Sequence, residues 1–350
     1  MQLRAFILLA SGQKFEAHHS PAAFLESAIE PDGVEALRRK DAIILRRNAE
    51  LVSLWEEVKT QWPWQKAEAL AEAGEKLDLD SKDRLLATII VMSDAKHVQN
   101  RDASRKTWCP ATFADVERVR KQYGLVVKFA VLKPSGPLQE SIHKEAVQYG
   151  DIYIIDEEGI ADSDPRRALA SLAAAVKDPK GDSDFYIISR DKVPVNFASL
   201  HEVLDPKRTQ GNLYLGCLHT AMVVRDDSSR WYEPDSYRFG KTENGEMFYP
   251  PHAGKDFYAI SRHVARHLAR SRTVLHYYKI KDTSMGAWMM ALAAAPTHES
   301  SFCCDATRKC GQTGKIEPRC AAYLEPQCDG VCGNALSKMT AVYNSCIKKN

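Results

Sequence analysis

The residues of this 350-residue sequence best suited to chemistry fall in a few short stretches. Arg190-Asp191-Lys192 places two cations around one carboxylate directly after the apolar run Asp184-Phe185-Tyr186-Ile187-Ile188-Ser189. A protonated lysine cannot ligate a metal, but it sits well against an anion as a point charge. Arg101-Asp102-Ala103-Ser104-Arg105-Lys106-Thr107-Trp108-Cys109-Pro110 reads as a basic helix start with Trp108 packed beneath. Asp282 begins a helical stretch that includes Trp288, a position where aspartate caps well. Trp231, Tyr232, Tyr237 and His252 lie in a segment, 231–254, whose aromatic, Pro and Gly content is that of a loop-dominated site. Such rings suit stacking, although core packing is their commoner fate.

The nine cysteines form another group. Cys109 and Cys217 stand alone, whereas Cys303, Cys304, Cys310, Cys320, Cys328, Cys332 and Cys346 crowd the end of the chain. A disulfide framework or a zinc site would each explain the crowding. Irregular spacing without a Cys-x-x-Cys pair favours disulfides, and so an oxidising compartment. The odd count leaves one thiol over, for which Cys109 is the candidate.

Elements that could position these groups are readable in the apolar pattern. Leu37, Ile44, Leu51 and Val58 recur every seven residues beside Leu45 and Val52, which predicts an amphipathic helix over 34–58. Asp41 and Asn48 interrupt the companion positions, so this is a helical stem rather than a long coiled coil. Trp62-Pro63-Trp64 ends it, and 66–83 reads as a second short helix and linker. Leu85-Leu86-Ala87-Thr88-Ile89-Ile90-Val91-Met92 is continuously apolar, as a strand buried on both faces of a parallel sheet should be. Further strands follow at 125–132, 151–156, 184–189 and 213–216, with helices at 114–123 and 166–176 between them. This alternation predicts a mostly parallel α/β sheet. Ligands of such sheets bind at the carboxyl ends of the strands, which puts 189–193 at the expected site.

A formal charge of +2, from 48 basic and 46 acidic residues spread along the chain, implies no nucleic-acid partner. No apolar run near the start is long enough to cross a bilayer, so membrane association would need an anchor not visible here.

The motifs, taken in order, resemble the plant-type β-1,3-galactosyltransferases, members of the inverting β-1,3 hexosyltransferases. The segment 101–110 is similar to that family's Arg-Arg-Asp-Ser-x-Arg-x-Thr-Trp-x-Pro signature. Tyr149-Gly150-Asp151-Ile152, Leu213-Tyr214-Leu215-Gly216-Cys217, Tyr232-Glu233-Pro234, Phe239-Gly240, His252-Ala253 and Tyr258-Ala259-Ile260-Ser261 follow in family order. Asp282-Thr283-Ser284-Met285-Gly286-Ala287-Trp288 is similar to Asp-Val-Ser-Leu-Gly-Ser-Trp, and the trailing cysteines to the family's tail. Unrelated α/β proteins reuse a fold without reusing ordered motifs.

The resemblance implies a Rossmann-like nucleotide-sugar transferase domain of GT-A type at 84–300. An N-terminal segment and helical stem would occupy 1–83, and a disulfide-rich tail 301–350. It implies transfer of a hexose, galactose favoured, from a UDP-sugar to a glycoprotein or glycan hydroxyl in β-1,3-type linkage, within the Golgi or secretory-pathway lumen. UDP-N-acetylglucosamine is the alternative donor. The motif makes Asp282 the base, while the acid that precedes it in the family has become Lys281. The donor diphosphate and nucleotide would lie among Arg101, Arg105, Arg166, Arg167, Arg190, Asp191, Lys192 and His252, with Lys255 adding a charge. The sugar or acceptor would lie against Trp231, Tyr232 and Trp288.

The family's Mn2+ site is rewritten, because its three aspartates become Arg190, Asp191 and Lys192. Asp191 and His252 would be the ligands if a metal binds; otherwise the cations replace it. The rival class is a catalytically impaired relative acting as a binding or chaperone-like protein.

Overall fold

The structure, a computed structural model, describes residues 84–157, 159–161, 164–234, 248–303, 320–323, 339, 340 and 343. The expected stem at 34–58, the stretch 66–83, Tyr237, Phe239-Gly240 and the tail cysteines other than Cys303 and Cys320 lie outside them, as do the side chains of Lys255 and Lys281. The described residues all belong to one compact unit, Asp78–Asn350.

The strands are β1 (Leu85–Met92), β2 (Leu125–Leu132), β3 (Ile152–Ile155), β4 (Ser183–Arg190), β5 (Leu213–His219), β6 (His252–Ser261) and β7 (Ala295–His298). Between and after them run α1 (Val98–Arg105), α2 (Phe113–Tyr123), α3 (Pro137–Tyr149), α4 (Arg166–Lys177), α5 (Phe197–Leu204), α6 (Arg262–Ser271) and α7 (Lys281–Ala291). They form a sheet of order β3-β2-β1-β4-β6-β5-β7. β1 pairs in parallel with β2 and β4, β2 with β3, and β5 with β7, giving the mostly parallel sheet expected. β6 is the exception, antiparallel to both β4 and β5. Its reversal brings its first residue, His252, to the edge where β5 ends at His219.

Every residue of β1 is buried, because helices cover both faces of the sheet. One apolar layer joins the sheet to Val119 of α2, Ile142 of α3, and Leu200 and Leu204 of α5; it also takes in Phe302, Ala321, Ala322 and Met339 from the end of the chain. The other joins it to Leu169 and Leu172 of α4, Val264 and Leu268 of α6, and Met285, Trp288 and Met289 of α7. Local chemistry sets the helix ends. Thr112 accepts the amide of Asp115 to start α2, and Gly124 ends that helix at φ 67°. A Cβ on Gly124 would lie 3.0 Å from the Leu86 backbone nitrogen, so glycine serves both the turn and the close approach to β1.

Cys303 and Cys320 form a disulfide, Cys217 is also disulfide-bonded, and Cys109 is free and buried, as the odd count suggested. Burial pushes the Cys109 thiol far above its ordinary range. Among the described residues no helix is long and apolar enough to cross a membrane.

Candidate active site

β1 and β4 lie side by side, with Met92 opposite Arg190 at their carboxyl ends. Immediately beyond, the chain turns over 190–193, the Val193 amide donating to the Arg190 carbonyl at 3.1 Å. Its two central residues differ in fate: Asp191 is buried and Lys192 exposed, while Arg190 is half-buried. The Asp191 carboxylate accepts the Ser93 hydroxyl at 2.7 Å and faces His97 Nδ1 at 3.2 Å through the same oxygen. His97 Nε2 lies 3.6 Å from Asp94, and Asp94 in turn accepts the Arg167 guanidinium at 2.8 Å. The acid retained in the rewritten motif is thus the inward one, engaged by the interior.

Arg101 is fully buried and spends all five of its N–H donors. It forks onto Glu145 with two bonds of 2.7 Å, and gives the rest to Ser93 Oγ and to the carbonyls of Asp94 and Ala95. Because Ser93 accepts from Arg101, its own hydrogen is directed to Asp191. Arg105 forks onto Asp151, bonds Glu145 at 2.8 Å, and lies 3.8 Å over the Tyr149 ring. Both arginines were expected at the diphosphate. In the fold no donor remains on Arg101, and Arg105 is likewise enclosed, because this stretch builds a buried ion-pair network. Despite the burial of the pair, the two guanidinium groups hold the Glu145 carboxyl below its ordinary range.

Arg166 and Arg167 open α4 but diverge. Arg166 is exposed and forks onto Asp164, whereas buried Arg167 reaches Asp94. Only Arg167 therefore connects to the turn, through Asp94 and His97.

His252, at the start of β6, is buried with its ring centroid 4.4 Å from that of His219. Its Nδ1 lies 2.8 Å from the Pro250 carbonyl, which can only accept, so Nδ1 carries the hydrogen and Nε2 a lone pair. Burial first, and then the His219 ring, lower its pKa to about 4. His252 is consequently neutral near pH 7 and brings no positive charge to a diphosphate. It keeps the form that could accept a hydrogen bond or ligate a metal.

Asp282 stands in the first turn of α7; the N-cap is Ile280, so aspartate does not serve as the cap. A helix N-terminus favours its ionised form, the one a base requires. Its charge reaches the Tyr214 hydroxyl, where it adds to burial in raising the phenol well above its ordinary range; that hydroxyl accepts the Ala253 amide at 2.7 Å. The helix that carries Asp282 packs against the start of β6. α7 can come this near because Gly286 faces His252: a Cβ there would sit 2.7 Å from both the His252 Cβ and the Pro251 carbonyl.

Of the aromatic candidates, Trp231 is exposed, with the Arg230 guanidinium 4.3 Å from its ring centroid, and Tyr232 is half-buried. Trp288 lies elsewhere. It is buried, gives its indole N–H to the His276 carbonyl at 2.9 Å and packs edge-on to Tyr277, so it belongs to the core rather than to a sugar surface.

Sequence reasoning passed over Ser93, Asp94, His97, Glu145, His219 and Glu233. Buried Glu233 accepts the Tyr249 hydroxyl and the Lys279 amide, each at 3.3 Å, and so ties the loop after β5 to the approach to α7. The Tyr232-Glu233-Pro234 motif was the available signal for Glu233. Nothing in the sequence marks Ser93 or His97.

A family model described as Galactosyltransferase matches residues 99–300, the span that contains the turn at 190–193, His252 and Asp282 but not β1. The chain belongs to the galactosyltransferase family. Probable beta-1,3-galactosyltransferase 5 of Arabidopsis thaliana is 29% identical over 272 residues, 76% of this chain and 66% of that protein. Hydroxyproline O-galactosyltransferase HPGT1 of the same plant is 27% identical over 230 residues, 65% of this chain and 66% of its own length. This galactosyltransferase-family chain thus spans slightly under two thirds of the relatives it matches. Among solved structures, core-mannan synthase A of Aspergillus fumigatus in an Mn/GDP form overlaps 62% of the chain and 73% of its own, at 13% identity and a TM-score of 0.32, too slight to bear on function.

The galactosyltransferase resemblance implies Mn2+, a hard cation that needs several oxygen ligands. The donor set does not fit one. On the turn one carboxylate remains, already holding Ser93 and facing His97, with a cation on either side in sequence. Among the described residues no group of three or more His, Cys, Asp or Glu is placed to hold a metal ion. His97 lies between the carboxylates of Asp94 and Asp191 instead of joining them around a common centre.

Proposed function

We propose that this chain is an inverting hexosyltransferase, moving galactose from UDP-galactose to a hydroxyl on a glycoprotein or glycan, with UDP-N-acetylglucosamine as the alternative donor. One observation carries the reading: at the carboxyl edge of β1 and β4 the buried Asp191 is engaged internally, so what the turn offers a ligand is the charge of the exposed Lys192. In the proposed step Asp282 takes the acceptor's hydroxyl proton as the oxygen bonds to the anomeric carbon. The bond from that carbon to the diphosphate oxygen breaks on the opposite face, and UDP leaves with its charge partly balanced by Lys192. No step passes through a metal. β-1,3 linkage and a hydroxyproline acceptor are supported by the names of the relatives alone. The disulfides support an oxidising compartment, the secretory-pathway lumen.

Transfer from UDP-galactose to hydroxyproline and galactan oligomers, measured in excess EDTA, tests the proposal. Activity is expected to persist. Lys192→Ala should lower kcat/KM about a hundredfold, and Asp282→Asn should lower kcat by about 10²–10⁴-fold with UDP affinity kept. A requirement for Mn2+ would sink the exchange of metal for cations. The second reading, an impaired relative that binds without turnover, draws on the number of nearby arginine donors already spent within the protein. UDP binding with no transfer to any acceptor would favour it.

A further inference from the structure

Residues 320–323 pack beside the segment that follows the turn at 190–193. After the turn at 190–193 the chain runs through Pro194 and Val195 to Asn196, whose side chain accepts the Ser199 amide and so starts α5. Tail residues lie alongside this segment: the Asn196 amide donates to the Ala321 carbonyl at 2.9 Å, the Tyr323 amide to the Pro194 carbonyl at 3.2 Å, and Val195 forms an antiparallel bridge with Ala322. Ala321 and Ala322 are fully buried, in the same apolar layer as Val193 and Val195. The other end of the clip is equally fixed. The Ala321 amide donates to the Ser301 carbonyl at 2.8 Å, Cys303 is bonded to Cys320, and the Phe302 ring meets Phe257 of β6 with centroids 4.8 Å apart.

We propose that the Cys303–Cys320 clip and residues 321–323 position the donor-binding turn, fixing the backbone on which Arg190 and Lys192 stand; this rests on the function proposed above. The physical case is one of preorganisation. Removing the clip loosens the hold on residues 321–323, so that the Asn196 amide loses its partner more readily and Val193 and Val195 are uncovered. The turn is then held chiefly on the Asp191 side, and an electrostatic contact is worth most when its groups need not reorganise.

The test is the double variant Cys303→Ser/Cys320→Ser in the full chain, read by hydrogen exchange and by titration with UDP. Exchange in peptides covering 193–200 is expected to quicken at least tenfold, while peptides from β1 and β2 keep their protection. UDP affinity should fall about tenfold and KM for the donor should rise, with kcat reduced less. Tyr323→Pro, which deletes one bridging amide and leaves the disulfide intact, should shift the same readouts in the same direction, and it serves if the cysteine variant fails to fold. Unchanged exchange at 193–200 in both variants would overturn the proposal. So would quickened exchange with UDP affinity unaltered. A wild-type protein that binds no UDP would instead count against the proposed function, and exchange would still decide whether the tail holds this segment.

Discussion

At the scale of single residues, position in the turn decides meaning. The sequence places Arg190, Asp191 and Lys192 at the end of a strand, and that much was legible because an apolar run and a register of motifs bracket them. Which of the three faces inward was not, since it depends on Ser93 and His97, residues brought there by a neighbouring strand. Long-range hydrogen bonds of this kind leave no local pattern. The same limit applied to Arg101, which reads as a solvated basic face until Glu145 is placed beside it. His252 supplies a prediction at this scale. Its pKa lies near 4 in the fold and near 6.5 when unfolded, so between those values the unfolded chain binds more protons. Stability is therefore full above about pH 6.5 and declines as pH falls toward 4, by on the order of 3 kcal/mol from this residue. Urea unfolding of wild type and His252→Gln at pH 7, 6 and 5 measures it: the gap between them should narrow as pH falls. A gap independent of pH would contradict the burial assigned to His252.

Elements were the most readable scale. The first two strands match their expected bounds, because a parallel strand covered on both faces must be apolar throughout. β6 and β7 escaped notice as strands: one reverses direction within the sheet and the other is short and partly exposed, so neither shows a continuous apolar run. α3 was missed as well, a polar helix that leaves only Ile142 and Glu145 buried. The approach of α7 to β6 is an element-scale feature with a single point of failure at Gly286. Gly286→Ala must push α7 from His252 and Pro251, at a cost of about 1–3 kcal/mol. Asp282 moves with its helix, so transfer should slow by up to about a hundredfold. Thermal unfolding and the transfer rate check both parts, and a variant matching wild type in each would show that the contact is not tight.

Across the whole molecule one polar chain links the parts. Arg167, Asp94, His97, Asp191, Ser93, Arg101, Glu145, Arg105 and Asp151 follow one another in contact, joining α4, the ends of β1 and β4, α1, α3 and the start of β3. Breaking it at its buried centre should be costly: Arg101→Ala takes two hydrogen bonds and one of two charge partners from the buried Glu145 carboxylate, leaving it Arg105, and is expected to destabilise by about 3 kcal/mol in urea. Arg101→Met/Glu145→Leu, which removes both charges, should recover much of that loss. Equal instability of the two variants would mean that the ion pair is not what is being measured. The chain also separates two properties of the turn that a ligand meets. Its shape is secured from within, through Asp191, whereas its polarity is displayed by Lys192, which the interior does not hold. Charge at this socket is therefore interchangeable without refolding, and a reversal of sign there changes which ligands are welcome while leaving the scaffold intact.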